Sequence, residues 1–525
     1  MKAQTLRAFI EVHTWVGLIA GFALFIAFYA GAITVFTHEL HEWDDYKVWN
    51  VPQDSVSDAQ HLVDSVVAQY PAARESFSVQ LPGEHGPRAV AYWYERQASG
   101  EYKTHEFRWN NGKLEEGTDQ SQLAGFVYRL HYTAGLPSTW STYVLGFVCI
   151  LYGVALVTGV IMYAPSFLSD LFALRIGSSL KRLWQDAHNV IGVLSLPFHV
   201  IFAWSGAVLC IGTLLLAPFQ FMVFDGKLLK IIAADLDLVT EAPAAHTPEA
   251  MLPVADLIAR AQQAAPGFEV EQLQYTQGGD ANAQVSLYGS TQSRTLTSLT
   301  GVALDANTGR VLRTLDPGTF SAGTTFYRGL VSLHFGEFGH AAVKWLYFIL
   351  GLAGAFLFFS GNLLWVEARR NRRTPEQTRS SRVMAQVTLG VGLGCIAGIS
   401  AAFVAARVLP NDWADRAHDV EIVYYAVFLA SVAWALVRPP GRAASELLTA
   451  SALLTLAVPV ADSWVTGMTP WRSIAQGQWI SFSVAILSLV FATAFWRMGQ
   501  AVRRREIHGE PNSVWAARRT ALQRS

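Results

Sequence analysis

Eight apolar runs, each long enough to cross a lipid bilayer, are the feature that most restricts the fold of this chain. They lie near residues 14–37, 139–163, 189–216, 341–365, 383–406, 420–437, 444–466 and 478–497. About 20 apolar residues suffice for one transmembrane helix. The composition agrees, because 15% of the residues are charged, whereas soluble domains average about 25%. The formal net charge of −1 gives no indication of a nucleic-acid partner.

Basic residues are concentrated on one side of these runs. They fall mainly in the segments 1–12, 164–187, 366–382, 438–443 and 498–525. The short loop PNDWADRAHD on the other side is acidic. Because Lys and Arg favour cytoplasmic loops, we expect both termini in the cytoplasm of a bacterium. Two polar segments, roughly 40–130 and 217–335, would then face the periplasm from the inner membrane.

The N-terminal part of the chain contains an internal duplication. HTWVGLIAGFALFIAFYAGAI from residue 13 aligns with HNVIGVLSLPFHVIFAWSGAV from residue 188, so that His13 matches His188. The returning spans match as well, and there His131 corresponds to His334. Self-similarity of this kind indicates a structural unit that is used twice.

The polar segments are duplicated too. Each begins with an amphipathic helix pattern, at 57–70 and 247–265, and continues with alternating strand-like stretches such as VAYWYER and AQVSLYG. We therefore predict an all-α polytopic membrane bundle of about eight transmembrane helices. It consists of a duplicated two-helix unit and a four-helix C-terminal tail, with two small α+β domains inserted.

The predicted boundaries follow from these patterns. They are a first span at 1–38, an α+β domain at 39–130, a second span at 131–163, a cytoplasmic loop at 164–187, a third span at 188–216, a second α+β domain at 217–335, a fourth span at 336–366, a basic loop at 367–382, the four-helix tail at 383–497 and a basic C-terminal segment at 498–525.

The matched histidines indicate a cofactor. His13 and His188 are expected at the cytoplasmic ends of their spans, and His131 and His334 at the periplasmic ends of theirs. Two imidazoles that face each other across a bundle suit the axial positions of a b-type haem. The absence of a C-x-x-C-H motif excludes haem c. Copper and zinc fit less well, because the matched residues bring no cysteine or carboxylate.

Two glycines also match between the repeats. Gly159 and Gly361 occupy the same place near the cytoplasmic ends of the returning spans. Small residues let helices approach one another, and they also leave room for a flat macrocycle.

His199 has no repeat mate but lies eleven residues from His188, which returns to nearly the same helix face. A second haem would use either His131 with His334, or His199 with one of them. His199 also lies two residues after Pro197. An alternative role for its imidazole is therefore a hydrogen bond to a backbone carbonyl that the proline leaves without a donor. The spacing leaves these alternatives open.

These features resemble the PepSY-associated transmembrane proteins, often described as iron-regulated membrane proteins. The resemblance is carried by the HxWxG start (His13, Trp15, Gly17), the LH…G entries at His131 and His334, and the twin PepSY-like α+β domains. It covers about residues 1–370. The four-span tail occurs in only part of the family.

The resemblance implies an inner-membrane ferric-siderophore reductase with two b-type haems. His13 and His188 would hold one haem, and two of His131, His334 and His199 would hold the other. The glycine-rich stretch GVGLGC at 390–395 lies inside an apolar span, so it predicts helix packing rather than a nucleotide loop. We therefore expect an external electron donor, namely a flavin reductase, reduced flavin or quinol.

Two other classes of function stay open. Eight spans with an internal repeat also suit a permease for iron or siderophores, although carboxylates such as Asp462 are nearly absent from the spans, which makes ion coupling hard to build. Small α+β domains of this type also occur as inhibitor-like modules, so a non-redox periplasmic binding scaffold is the second alternative.

Overall fold

The computed structural model describes most of the chain. The described residues are 3–44, 51–83, 86–96, 102–110, 112–117, 122–166, 179–236, 238, 243–291, 296, 299–336, 338–410, 413 and 415–517. Half of the predicted cytoplasmic loop 164–187 and the end of the basic segment 498–525 lie outside them.

Helices account for most of the described residues. Numbered along the chain, they are α1 (Ala3–Thr34), α2 (Thr37–Asp44), α3 (Val56–Gln69), α4 (Gln122–Thr133), α5 (Ser138–Tyr163), α6 (Leu180–Leu194), α7 (Leu196–Met222), α8 (Leu228–Leu236), α9 (Val254–Ala264), α10 (Ala322–Phe335), α11 (Ala341–Ala368), α12 (Arg379–Val408), α13 (Arg416–Val437), α14 (Pro440–Thr466), α15 (Pro470–Ala475) and α16 (Trp479–His508). Among the described residues, eight helices are long and apolar enough to span a membrane: α1, α5, α7, α11, α12, α13, α14 and α16. The chain is therefore a multi-pass membrane protein.

Eight strands complete the described part of the chain. They are β1 (Ser76–Gln80), β2 (Val90–Arg96), β3 (Tyr102–Asn110), β4 (Lys113–Glu116), β5 (Phe268–Thr276), β6 (Gln284–Thr291), β7 (Leu299–Asp305) and β8 (Val311–Leu315). The chain divides into two compact units. A membrane unit comprises residues 1–44, 120–212 and 344–525, and a sheet unit comprises 45–119 and 213–343.

The membrane unit is organised around α1, which packs against α4, α5 and α12. A Cβ on Gly351 of α11 would lie 2.9 Å from the Cβ of Ala32, so α11 also lies against α1 with almost no side chain between the backbones. Within the tail, α12 packs against α13 and α14, and α14 packs against α16. The tail is thus joined to the first repeat through α12.

Three of the matched histidines lie on helices that precede the predicted spans rather than inside them. His131 lies in α4, and α5 begins only after Gly135, whose φ is 79°, and Pro137. His334 lies in α10, which ends at Gly336 with a φ of 72°. His188 lies in α6, which ends before Ser195. Left-handed glycines and a proline end a helix, so a turn separates His131 and His334 from the spans that follow them.

The sheet unit contains one antiparallel sheet rather than two separate ones. Its strand order is β4-β3-β2-β1-β5-β6-β7-β8, and β1 pairs with β5 from Ser76↔Thr276 to Gln80↔Gln272. The rings of Phe77 and Tyr275 stack 4.9 Å apart across this seam. Helices α3 and α9 cover the same core. The two polar segments therefore share one sheet and one hydrophobic core.

A buried cluster of charges ties the end of α2 to the tail. Arg416 pairs with Asp44, with 2.5 Å between Nη2 and Oδ1, and the Nε of Arg407 lies 2.9 Å from Oδ1 of Asp462. The Arg407 guanidinium also stacks on the Trp43 ring. All four charged side chains are at most 4% exposed. Asp462, a carboxylate within a predicted span, is thus neutralised by an arginine.

Replacing Arg416 with Met is expected to destabilise the protein strongly. It leaves Asp44 buried with reduced compensation, and breaking a buried ion pair costs about 3–5 kcal/mol. Thermal unfolding in detergent measures the effect. Arg442→Met removes the more exposed Arg442–Glu446 pair and is expected to change stability by less than about 1 kcal/mol. Equal effects of the two substitutions would contradict this account.

Asp58, in the first turn of α3, contributes to the stability of the fold in a way that depends on pH. Its carboxylate accepts the Ser55 N–H at 2.8 Å, while the Ser55 hydroxyl accepts the Asp58 N–H. The bonds from the Ser55 side chain and backbone lower the pKa of Asp58. Because the folded-state pKa lies below the unfolded one, this stabilisation is present above the unfolded pKa of 3.8 and is lost as pH falls through the folded value.

We therefore expect Ser55→Ala to speed amide exchange in the first turn of α3 about fivefold near neutral pH, for a cap worth about 1 kcal/mol. The difference from the parent should shrink in strong acid, because the bond from the Ser55 hydroxyl to the ionised Asp58 carboxylate is then lost in the parent as well. Hydrogen exchange followed by mass spectrometry measures both values. Helix α9, whose N-cap Pro253 makes no side-chain bond, is the internal reference and should be unaffected.

Candidate functional site

His13 of α1 and His188 of α6 face each other within the membrane unit. Their ring centroids are 6.2 Å apart and the ring planes are nearly perpendicular, at 84°. The structure thus brings together the first matched pair of histidines, which come from the two repeats.

Each ring of this pair is held through Nδ1 by a backbone carbonyl. His13 Nδ1 lies 2.9 Å from the Ala155 oxygen, and His188 Nδ1 lies 3.1 Å from the Leu357 oxygen. A carbonyl oxygen only accepts hydrogen bonds, so both Nδ1 atoms carry the proton and both Nε2 atoms present a lone pair. Among the described residues, no hydrogen bond is recorded to either Nε2.

The two glycines matched between the repeats lie directly behind these rings. A Cβ on Gly159 would lie 3.0 Å from Cε1 of His13, and a Cβ on Gly361 would lie 3.2 Å from Cε1 of His188. In each case the glycine lies one helical turn after the residue whose carbonyl accepts the bond: Gly159 follows Ala155, and Gly361 follows Leu357. Both imidazoles are therefore held by the same arrangement on the facing helix: a backbone carbonyl that accepts the Nδ1 proton and a glycine that leaves room for the ring.

This geometry fits a metal ligated by two imidazoles. Metal–nitrogen bonds of about 2.0 Å, with each ring centre roughly 1.1 Å behind its nitrogen, would put two axial ring centroids about 6 Å apart. Ligating histidines usually donate their other N–H to a carbonyl or carboxylate, as both do here. The described residues include no group of three or more His, Cys, Asp or Glu side chains arranged for a metal ion. The pair offers two ligands, the number that a six-coordinate b-type haem takes from the protein.

His131, which belongs to the second matched pair of histidines, is held in the same way. Its Nδ1 lies 2.8 Å from the Ala27 oxygen, and a Cβ on Gly31 would lie 2.6 Å from that nitrogen. Ala27 and Gly31 are again one helical turn apart, here on α1. The repeat mate, His334, lies in the last turn of α10 in the sheet unit, with its ring 5.3 Å from that of Phe335.

His199 has both ring nitrogens engaged in a buried network. Nε2 lies 2.9 Å from Ser195 Oγ, and Ser195 Oγ donates its only proton to the Ile191 oxygen at 2.5 Å. The serine must therefore accept from Nε2–H, and Nδ1 must accept the proton of the Tyr152 hydroxyl. The structure holds His199 as a satisfied, fully buried histidine and does not pair it with another histidine.

The sequence also offers five aromatic residues as candidates for a siderophore cleft: Trp43, Trp49, Tyr92, Trp93 and Tyr94. Trp43 and Trp93 are core residues at 1% and 4% exposure, whereas Tyr94 is 63% exposed. Tyr92 is half-buried and its hydroxyl accepts a bond from Gln272 at 2.9 Å. Trp49 lies outside the described residues.

Several residues of the site carry no signal in the sequence by themselves. Thr158 and Ser360 lie next to the two glycines and place their hydroxyls 3.3 and 3.5 Å from the Nδ1 atoms of His13 and His188. Comparing the repeats would have paired them, since each directly precedes a matched glycine. Tyr152 and Ser195 have no repeat signal, and only the fold reveals their role.

The fold and this site define a class: a multi-pass membrane protein whose duplicated helices carry imidazoles that face each other across the bundle. The chain belongs to the PepSY-associated TM region family, which matches residues 10–368. The resemblance seen in the sequence is thereby confirmed. The match ends with α11, so the four-helix tail lies outside it.

A relative from Pseudomonas aeruginosa strain PAO1, the uncharacterized protein PA4219, is 25% identical over 353 residues. The aligned region covers 61% of this chain and 82% of the relative. The similarity thus extends over most of the relative's length.

Tyr152→Phe is expected to destabilise the membrane unit. It removes the hydroxyl that donates to His199 and leaves a buried acceptor unsatisfied, which costs about 1–3 kcal/mol. Tyr143→Phe removes a hydroxyl from the same helix at a ring that is 49% exposed, and it is expected to have little effect. Thermal unfolding in one detergent compares the two. If Tyr152→Phe left the unfolding temperature unchanged, the proposed hydrogen-bond network would be refuted.

Proposed function

We propose that this protein is a haem-b transmembrane reductase that passes electrons across the bacterial inner membrane to the ferric iron of a siderophore. The observation that carries the proposal is the facing pair of His13 and His188, with both Nδ1 atoms bonded to carbonyls and both Nε2 atoms left as ligands. Membership of the PepSY-associated TM region family is consistent with this function.

The residues that would hold the cofactors are the matched histidines. His13 and His188 would hold one haem, and two of His131, His334 and His199 would hold the other. Of these three, His131 has its Nδ1 bonded to a carbonyl, whereas His199 is already bonded at both nitrogens. A bound haem would supply an iron that gains and loses one electron at a time. The chain's own contribution is to fix each tautomer through Ala155 and Leu357 and so to leave both Nε2 lone pairs available.

The proposed orientation places the His13–His188 level towards the cytoplasm. The basic loop after α11 and the C-terminal segment lie together, since Arg370 Nε donates to the Asn512 oxygen at 3.0 Å and Asn512 Nδ2 to the Arg372 oxygen at 2.9 Å. Basic segments favour the cytoplasmic side. Gly361, behind His188, lies seven residues before the end of α11 at Ala368, near that basic side.

The substrate we propose is a siderophore whose Fe(III) is held by hard oxygen ligands in the periplasm. Such ligands bind Fe(II) more weakly than Fe(III). Transfer of one electron to the chelated iron therefore releases it as Fe(II) and leaves the siderophore intact. The sheet unit is the proposed periplasmic part of the protein.

The test is the haem content and absorption spectrum of the purified protein. We expect about two b-type haems per chain with a bis-histidine spectrum. His13→Ala and His188→Ala should each remove about one haem, whereas His199→Gln, which keeps an amide for Ser195 and Tyr152, should retain both. Reduced protein should be reoxidised by a ferric hydroxamate, and an Fe(II) chelator should trap the product.

A colourless protein after expression with ample haem would overturn the proposal and favour the permease or scaffold. Loss of haem in His199→Gln with retention in His13→Ala would show that the ligands are assigned wrongly. A thermal unfolding curve for each variant separates loss of ligand from loss of fold.

A further inference from the structure

A kink divides α7 into two parts. Ile211 has non-helical backbone angles, with a φ of −132° and a ψ of 15°. The second part continues to Met222 and contains Pro218, and a turn then leads into α8. We call residues 212–232, which comprise the second part of α7, the turn and the beginning of α8, the α7–α8 segment.

Most side chains of the α7–α8 segment are apolar and exposed. Phe219, Phe221 and Met222 are 53, 73 and 83% exposed, and they point in three directions around the axis, since successive helical residues turn by about 100°. A helix that is apolar on every side belongs in a protein core or in a membrane. The described chain does not bury this one. The other exposed apolar residues are Leu214, Leu215, Val223, Phe224, Leu229 and Ile231.

The turn between the two helices bonds its own backbone groups. The side-chain amide of Gln220 donates to the Gly226 oxygen at 2.5 Å and accepts the Leu229 N–H at 2.9 Å. The Gly226 N–H donates to the Gln220 backbone oxygen at 2.6 Å, and the Lys227 N–H donates to the Phe224 oxygen at 2.8 Å. Irregular backbone needs such internal partners where water is scarce. The turn is therefore suited to lipid.

The charges of the α7–α8 segment are confined to the turn and the first part of α8. Residues 212–224 include no charged side chain, whereas Asp225, Lys227 and Lys230 follow within six residues. Both lysines are exposed. Lysine ammonium groups are attracted to the phosphates of lipid head groups, while the apolar stems of these side chains stay in the layer below. This distribution is typical of helices that lie in the plane of a membrane surface.

The position of the segment in the chain favours lipid over a protein partner. It continues α7, one of the eight helices that can span a membrane. From residue 189 to Ile211 the chain contains enough helix to rise about 33 Å, whereas the hydrocarbon core is about 30 Å thick. The kink at Ile211 thus comes where the chain leaves the hydrocarbon. A protein partner would cover one face of a helix, and the exposed residues here surround it.

We propose that the α7–α8 segment binds the phospholipid bilayer and lies at the boundary between head groups and acyl chains. Phe219, Phe221 and Met222 contact acyl chains, and Lys227 and Lys230 contact head-group phosphates. Helices of this kind bury their apolar side about 5–10 Å into the boundary. The inference is independent of the proposed reductase function, because neither haem nor a histidine takes part in it.

The first experiment measures the depth of the segment in the full-length protein. A nitroxide spin label is attached at Met222→Cys in nanodiscs of phosphatidylethanolamine and phosphatidylglycerol. Power saturation then compares collisions of the label with oxygen, which concentrates in lipid, and with a water-soluble nickel chelate. We expect collisions with oxygen to dominate, at a depth of about 5–10 Å. The parent protein gives the background from Cys149, Cys210 and Cys395.

Gln263→Cys is the matched control, because this residue is exposed on α9, a helix of the same unit. Its label should collide mainly with the nickel chelate. The same behaviour at Met222 would overturn the proposal. A Met222 label that is shielded from both reagents, and that lies within dipolar range of the label on another copy of the chain, would assign the segment to self-association instead.

The second experiment changes the segment and reads the same Met222 label. Phe221→Asp puts a charge among the acyl chains, and the double variant Lys227→Gln, Lys230→Gln removes the contacts to phosphate. Each should shift the label to a shallower depth, whereas Lys227→Arg with Lys230→Arg should keep the parent depth. Because these side chains are exposed, thermal unfolding should not change, which separates lipid contact from folding. A label depth that none of these variants alters would refute the assigned contacts.

Discussion

The membrane unit depends on one constraint: an imidazole in a low-dielectric interior must have its N–H bonded. Three histidines meet it identically, because His13, His131 and His188 each donate Nδ1–H to a carbonyl of the facing helix. One turn along that helix a glycine leaves room for the ring. The glycine lets the ring come close enough for the bond, and the bond fixes the tautomer. The glycine and the carbonyl together therefore fix the orientation of each ring.

His199 shows how the same constraint produces a different outcome. A glycine faces this ring too, since a Cβ on Gly354 would lie 3.3 Å from its Cε1, but Tyr152 and Ser195 occupy both of its nitrogens. A ring bonded on both sides is fixed in place but offers no lone pair. One apolar helical region thus carries a histidine suited to ligation and a histidine suited only to packing, and the number of hydrogen-bond partners distinguishes them.

The tail is integrated with the repeats by polar contacts buried in an apolar setting. Arg407 and Arg416 hold the end of α2 through Asp462, Asp44 and the Trp43 ring. Desolvated charges of this kind add specificity to a contact more readily than stability. Because α12 lies against α1, the tail contributes to the interior of the unit that carries the histidines.

The sequence by itself determined the eight spans, the duplication and the family, because hydropathy over 20 residues and a repeated motif are local signals. It also matched His13 with His188 and Gly159 with Gly361. Only the tertiary structure decided which nitrogen of each ring is bonded, that His199 is satisfied, and that two polar segments share one sheet. These depend on partners far apart in the chain, such as His13 and Ala155, 142 residues apart. Periodicity along one helix does not encode a contact with another.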